Sequence, residues 1–233
     1  MIRFRPARHY LTTLRTSAAY DVAMRLPMLV WSVALGFTLV LELQHYSHAA
    51  LPETPRSIYL LNIAMRLSTI AYLVILAATV ASRTRPLHKA RGAEPRITAL
   101  LGSFLITVVV LFPRQELSAA LGCISTLLVL VGDLIASIVL IQLRGSFSIM
   151  AEARQLATTG AYRIIRHPLY LAEEVATIGG VIQFLSFWTG VLLLVQIACQ
   201  IRRMSNEETV LTGVFPEYTS YKRTTARIIP GLY

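Results

Sequence analysis

Charged residues are scarce in this chain. They make up 15% of its 233 residues, whereas soluble domains carry about 25%. Apolar residues reach 55%. This composition excludes an ordinary water-soluble domain and predicts an all-α integral membrane protein. Because a membrane bundle needs no soluble core, a single domain accounts for the whole length.

Cysteine is also rare. Only Cys123 and Cys199 are present, and both lie inside apolar runs. Neither has the spacing of metal ligands, so the sequence predicts no metal site and no disulfide framework. The sequence also contains no internal repeat and no low-complexity linker.

Acidic residues are few. The chain has 12 Asp and Glu against 22 Lys and Arg, which gives a net charge of +10. A nucleic-acid partner is not predicted, because the basic residues lie in loops between apolar runs rather than on one soluble face. We expect these loops to face the anionic headgroups of membrane lipids.

Apolar runs divide the chain. Four of them have about 16 to 27 residues, close to the length that crosses a bilayer; they cover 26–43, 57–81, 97–112 and 117–143. A fifth run, 169–201, is too long for one crossing. We expect Gly179-Gly180 and Ser186 to divide it into a hairpin of two helices, which makes five to six transmembrane helices in total.

The distribution of Lys and Arg predicts the topology. These residues concentrate in the arm before 26, the loop 83–96, the loop 144–166 and the tail after 201, while the intervening loops hold only Arg56 and Arg114. This alternation predicts that the N-terminus and the C-terminal tail are cytoplasmic, on the same face as the 144–168 loop. The single domain then has three parts: a basic arm at 1–25, a four-helix membrane half at 26–143 and a half with the polar motifs at 144–233.

Three polar residues lie inside the apolar runs. Arg66 and Asp133 are candidates for an intramembrane pair, because charges in such places face partners or cavities. Gln142 lies near the cytoplasmic end of the fourth run, where it could reach a pocket.

The stretch 160–174 has the densest polar cluster. Pro168 is suited to the first position of a helix, so Arg166 and His167 are expected at a helix N-terminus. The free N–H groups of that terminus, together with the side chain of Arg166, would bind a carboxylate or phosphate. Glu173 is interpreted as an acid that satisfies the helix dipole, and Glu174 as the candidate base. The alternative interpretation of the cluster is an interfacial anchor in lipid headgroups.

The tail contains a second cluster. The pattern predicts a short helix over 202–213 that begins near Ser205 or Asn206, is ended by Pro216 and is followed by a helix at 217–224. Arg203 and Glu207 share one helix face, although a solvated amphipathic tail is the plain alternative. Tyr218 and Tyr221 are interpreted as an interfacial foot.

Together the two clusters resemble a known family. The residues Thr159-Gly160-Ala161-Tyr162, Arg166-His167-Pro168-Leu169-Tyr170 and Arg203-x-x-x-Glu207-Glu208-x-x-Leu211 are similar to the signature of the isoprenylcysteine carboxyl methyltransferase and phospholipid methyltransferase superfamily. The resemblance covers about residues 143–233 and extends to the first 140 residues only as a hydropathy pattern.

The resemblance implies S-adenosylmethionine as cofactor and a lipid or prenylated acceptor, in a cytoplasmic pocket closed by the C-terminal helical tail. Cofactor contacts are expected from Tyr162, Arg166, His167, Pro168, Leu169, Tyr170, Glu207, Glu208 and Gln142. In this scheme the helix N-terminus holds the carboxylate of the cofactor, the tail carboxylates hold its cationic side, and a tyrosine packs on adenine or sulfonium. Arg203 matches the position that faces the acceptor in the isoprenylcysteine branch.

The expected chemistry is direct methyl transfer, in which alignment supplies most of the rate. If the acceptor is the α-carboxylate of an isoprenylcysteine, Arg203 would orient it; if it is an amine or hydroxyl, Glu174 would be the base. The rival interpretation is a membrane sterol reductase that uses NADPH. The adjacent acids Glu207 and Glu208 argue against it, because they would repel the 2′-phosphate of NADPH. A transporter would need a polar path through the midplane, for which Arg66 and Asp133 are thin support.

Overall fold

The computed structural model describes residue 22, residues 24–48 and residues 55–231. Of the predicted basic arm at 1–25, only residues 22, 24 and 25 are therefore included, and the rest lies outside the described residues. Arg25 extends to the end of the second helix, where its guanidinium donates a hydrogen bond of 3.0 Å to the carbonyl oxygen of Arg83.

Long apolar helices make up the first part of the fold. They are α1 (Leu26–His48), α2 (Arg56–Ser82), α3 (Glu94–Phe104), which continues as a 3₁₀ helix (Leu105–Leu111), and α4 (Ala119–Leu143). Among the described residues, four segments are long and apolar enough to cross a membrane: Leu26–Tyr46, Arg56–Ser82, Glu94–Leu111 and Ala119–Ser146. The four apolar runs predicted from the sequence are confirmed.

The outward faces of these helices are apolar. Val33, Phe37 and Val74 each expose more than 60% of their surface, and Ile141 exposes 57%. A soluble protein rarely exposes contiguous apolar surface of this extent, whereas lipid tails solvate it at little cost. The outward faces therefore fit a lipid environment.

The fifth apolar run forms two helices, α5 (Pro168–Ile182) and α6 (Phe187–Val214). The break lies at 183–186, where Ser186 caps α6 through a reciprocal capping box with Thr189. Ser186 was thus correctly predicted as a break, but Gly179-Gly180 was not one, because both residues are helical. A Cβ atom on Gly179 would lie 2.7 Å from the carbonyl oxygen of Ser125, so this glycine permits close packing of α5 on α4.

The tail differs in one respect from the prediction. Helix α6 continues without interruption through 202–213, so no separate helix begins at Ser205 or Asn206. The residues after Ile201 include good helix formers and no breaker, so nothing ends the helix there. It ends at Val214 just before Pro216, and α7 (Tyr218–Thr224) follows, as expected.

Three basic segments meet at one end of the bundle. A two-residue strand β1 (His88–Lys89) pairs antiparallel with β2 (Glu152–Ala153), and Arg202 forms an ion pair of 2.7 Å with Glu94. The backbone N–H of Arg166 donates to the carbonyl oxygen of Ala226. The prediction that the 144–168 loop and the tail lie together is confirmed, while their cytoplasmic side stays a prediction.

The two intramembrane charges have separate partners. The guanidinium of Arg66 lies 4.4 Å from the ring centroid of Tyr46 and donates to the carbonyl oxygen of Asn62. Asp133 accepts a hydrogen bond from Thr69. The structure therefore does not support the candidate Arg66–Asp133 pair.

Candidate active site

The Arg166-His167-Pro168 segment is fastened to the C-terminal tail. Pro168 is the first residue of α5 and His167 is its N-cap, as the sequence predicts. Backbone N–H groups of Arg166 and His167 donate to the carbonyl oxygens of Ala226 and Arg227 at 2.8 and 3.1 Å. The last segment of the described chain thus fixes the entry into α5.

Glu208 is the centre of an ion-pair network. Its Oε1 lies 2.7 Å from Arg166, 3.0 Å from His167 Nε2 and 3.3 Å from Arg227. Its Oε2 lies 3.1 Å from Lys222 Nζ. Burial alone would raise the pKa of this carboxyl, but hydrogen bonds with His167 and Lys222 and the charge of Arg227 lower it from 4.5 to about 2. Glu208 is therefore an anion that ties α6 to the start of α5 and to the tail.

One helical turn of α6 presents Arg203 and Glu207 to Tyr170. The hydroxyl of Tyr170 donates to Glu207 Oε2 at 2.9 Å, and the Arg203 guanidinium lies 4.9 Å from the centroid of the same ring. Arg203 is buried and donates from Nε to the carbonyl oxygen of Ile149 and from its NH1 group to Gln200 Oε1, at 3.0 and 3.2 Å. Its guanidinium is consequently held in one orientation.

These side chains surround a cavity of about 60 Å³ that is partly open to solvent, here called the polar pocket. Its walls come from the loop after α4, the turn before α5, the first turns of α5, the polar end of α6 and α7. The predicted residues that line it are Tyr162, Arg166, His167, Leu169, Tyr170, Arg203 and Glu207.

A second cavity of about 240 Å³, here called the apolar cavity, lies between the membrane helices. Side chains such as Trp31, Leu73 and Leu76 line it. It shares three lining residues with the polar pocket, and these are Phe147, Glu173 and Arg203. The polar pocket and the apolar cavity are therefore neighbours, and the wall that these three residues share is here called the junction.

The segment that forms most of this site is similar to a known protein family. Residues 124–213 match the isoprenylcysteine carboxyl methyltransferase family. The comparison with curated proteins gave no significant match. The matched segment contains most of α4, the loop after it, α5 and nearly all of α6, so it includes Tyr170, Arg203 and Glu207. The resemblance drawn from the two motifs is confirmed.

The family match over residues 124–213 and the four apolar helices support a membrane methyltransferase. Members of the isoprenylcysteine carboxyl methyltransferase family use S-adenosylmethionine as methyl donor.

Four of the predicted site residues lie outside the lining of the polar pocket. Gln142 accepts a hydrogen bond of 3.1 Å from the backbone of Ala161 and packs under Gly160, so it supports the turn that bears Tyr162. Glu174 accepts from Gln196 at 2.8 Å and lines neither cavity. Pro168 and Glu208 are the other two, and both shape the site through the start of α5.

Three residues that line the polar pocket were given other roles from the sequence. Tyr218 and Tyr221, interpreted as an interfacial foot, line the polar pocket. The hydroxyl of Tyr221 donates to the carbonyl oxygen of Tyr162 at 2.5 Å, and burial raises the pKa of Tyr221 to about 12 despite the nearby Arg166. Their spacing of three, which places both on one helix face, was the available signal.

Glu173 is the other such residue. The sequence interpretation makes it a carboxylate that satisfies the helix dipole, whereas in the structure it lines both cavities. Its Oε1 accepts a hydrogen bond of 2.9 Å from the hydroxyl of Tyr72 on α2. No local pattern separates Glu173 from Glu174, because both follow the same helix start.

Proposed function

We propose that this protein transfers the methyl group of S-adenosylmethionine to a lipid-like or prenylated acceptor at the boundary of the membrane. The observation that carries this proposal is the junction, where the polar pocket and the apolar cavity share Phe147, Glu173 and Arg203. A polar methyl donor and an apolar acceptor need two adjacent compartments of this kind.

The first turns of α5 suit the anionic end of the methyl donor. His167 is the N-cap, so the N–H groups of Leu169 and Tyr170 have no intrahelical partner. These donors and the helix dipole favour a carboxylate. Arg166, which the sequence assigns to the same task, is engaged by Glu208 at 2.7 Å. We therefore assign carboxylate binding to the backbone and give Arg166 and Glu208 the role of supporting it.

The opposite side of the polar pocket suits cationic groups. Glu207 lines it and receives a hydrogen bond through one oxygen from Tyr170, which leaves the other oxygen to accept from the ammonium or ribose of the donor. Tyr162 adds an aromatic face for the adenine or the sulfonium. One face of Tyr170 is already next to Arg203, so Tyr162 is the better platform. The residues present fit the methyl donor.

The acceptor would extend its tail into the apolar cavity and its head to the junction. S-adenosylmethionine, when bound, supplies an electrophilic methyl group. Arg203 is fixed by Ile149 and Gln200, so it would orient the head of the acceptor without loss of side-chain freedom. Direct methyl transfer depends mainly on the alignment of acceptor and methyl group. The fixed position of Arg203 would therefore lower the activation barrier by holding the acceptor in line.

The membrane arrangement follows from the same scheme. We propose that α5 and α6 enter the bilayer as a hairpin beside the four apolar helices, which gives five to six spans. Phe187 and Trp188 at the hairpin tip expose 75% and 64% of their surface, as membrane anchors do. The polar pocket and the tail would then face the cytoplasm, in accordance with the clustering of basic residues at that end.

A binding experiment tests the proposal. The full chain, purified in detergent, is heated with and without S-adenosylmethionine and, separately, with NADPH. At 100 times its dissociation constant a ligand stabilises the folded state by about 2.7 kcal/mol, so S-adenosylmethionine is expected to raise the melting temperature clearly and NADPH is not. Stabilisation by NADPH alone would refute the proposed function in favour of a reductase.

A further inference from the structure

We propose that the acceptor presents a neutral hydroxyl group to the junction and that Glu173 accepts its proton. This inference rests on the proposed function, because it names the class of acceptor for the same site. It differs from methylation of a carboxylate, for which no proton acceptor is needed.

The position of Glu173 is the first argument. Among the described acidic residues, Glu173 is the one that lines both the polar pocket and the apolar cavity. The hydroxyl of Tyr72, which also lines the apolar cavity, donates a hydrogen bond of 2.9 Å to Oε1 of Glu173. The carboxylate is therefore oriented at the place where an acceptor head would lie. A general base must be within hydrogen-bond reach of the proton that it removes.

The neighbouring residue has a different environment. Glu174 is turned toward Gln196, whose amide donates to it at 2.8 Å, and it lines neither cavity. We therefore assign the base to Glu173 and not to Glu174.

The charges that face the apolar cavity are the second argument. The charged groups that face the apolar cavity are Glu173 on α5, Asp133 on α4 and Arg203 on α6, and the titratable Tyr72 of α2 also faces it. Two carboxylates and one guanidinium make this wall unfavourable for an anionic head. Arg203 also has two of its donors engaged by Ile149 and Gln200. A carboxylate acceptor would therefore meet repulsion that Arg203 compensates only in part.

A cationic head is disfavoured for the converse reason, because the guanidinium of Arg203 lies at the junction itself. A neutral hydroxyl avoids both conflicts. It can donate its proton toward Glu173, while Arg203 stabilises the negative charge that develops on its oxygen. The charge pattern thus selects a protic, uncharged head group.

The reaction balances without any further reagent. The acceptor oxygen forms a bond with the methyl carbon, and the bond between that carbon and the sulfonium sulfur breaks with its electron pair left on sulfur. The hydroxyl proton passes to Glu173, which later releases it to solvent through the polar pocket. The products are a methyl ether, a neutral thioether and one proton.

Three acceptors with the same tail test the inference: para-dodecylphenol, para-dodecylaniline and para-dodecylbenzoic acid. Purified full-length protein is incubated with each of them and with S-adenosylmethionine that carries a labelled methyl group. The phenol is expected to be methylated at least about 10-fold faster than the other two. Faster methylation of the benzoic acid or the aniline would overturn the inference, as would no methylation of any of the three by protein that binds the cofactor.

Variants identify the proton acceptor. Glu173→Gln is expected to lower kcat for the phenol by about 10²–10⁴-fold, the range for loss of a general base, with KM changed by less than about threefold. It should keep the stabilisation by S-adenosylmethionine, which is a readout independent of turnover. If Glu174→Gln loses turnover and Glu173→Gln does not, the assignment is wrong. If the wild-type protein is not stabilised by S-adenosylmethionine, the proposed function is refuted instead.

Discussion

Replacement of Glu208 by Gln tests how the site is held together. The substitution keeps the size of the side chain and removes one negative charge from among four cationic or ionisable groups. Glu208 exposes only 5% of its surface, so solvent screens these interactions weakly. The substitution leaves Arg166 and Arg227, whose side chains are each only 10% exposed, without their shared counter-charge. Charges shielded from solvent are costly when unpaired.

The magnitude follows from the ionisation of Glu208. A pKa lowered from 4.5 to about 2 corresponds to about 3 kcal/mol of stabilisation at pH 7, since each pKa unit is worth about 1.36 kcal/mol. Because the pKa is lower in the folded state, this stabilisation is present above about pH 4.5 and is lost as the pH falls toward about 2. For a chain of this size, about 3 kcal/mol corresponds to a decrease of about 6–12 °C in melting temperature.

Thermal unfolding in detergent at several pH values measures the effect. Glu208→Gln should unfold well below the wild type at pH 7, and the difference should decrease as the pH is lowered below about 4.5. Glu217→Gln is the matched control, because Glu217 is an exposed acid at the start of α7. A Glu208→Gln protein as stable as this control, or a deficit that does not depend on pH, would refute the network as the fastening of the site.

Three further predictions concern binding, packing and turnover. Glu207→Gln should weaken S-adenosylmethionine binding about 10-fold, the equivalent of about 1.4 kcal/mol, in titration calorimetry, whereas Glu217→Gln should bind normally; equal affinities would exclude Glu207 from the cofactor site. Gly179→Ala should destabilise the fold by about 1–3 kcal/mol because its Cβ meets α4, whereas Gly180→Ala, with nothing within 4 Å, should not; thermal melts that rank the two the other way would contradict the close helix contact. Arg203→Lys keeps the charge but not the fixed planar guanidinium, so turnover should fall by about 100-fold or more while the affinity for the cofactor is retained. An unchanged rate of methyl-label transfer would exclude Arg203 from positioning the acceptor.

Local chemistry made much of the fold predictable. The apolar runs give the membrane helices, because a long stretch without charge has few other stable environments. Pro168 predicts the start of α5 and Pro216 the end of α6, because the missing N–H and the fixed φ of proline act over only a few residues. Gly179 was misjudged as a break for the converse reason: its effect depends on α4, which is distant in the sequence.

The candidate site was predictable as a set of segments and not as a set of roles. The two motifs identify which parts of the chain come together, and the family match agrees with them. They do not separate Glu207, which lines the polar pocket, from Glu208, which is enclosed by positive charge. In the same way, the sequence does not distinguish Glu173, which lines both cavities, from Glu174, which lines neither and accepts a hydrogen bond from Gln196.

By itself, then, the sequence determined the membrane environment, the positions of the main helices and the methyltransferase signature. These properties depend on composition and on interactions within a few residues. Tertiary structure alone decided which of two adjacent acids enters a cavity. Neighbours on a helix point about 100° apart, and whether each finds a cation, an amide or open space is set by segments such as α2 and the tail, which lie far away in the chain.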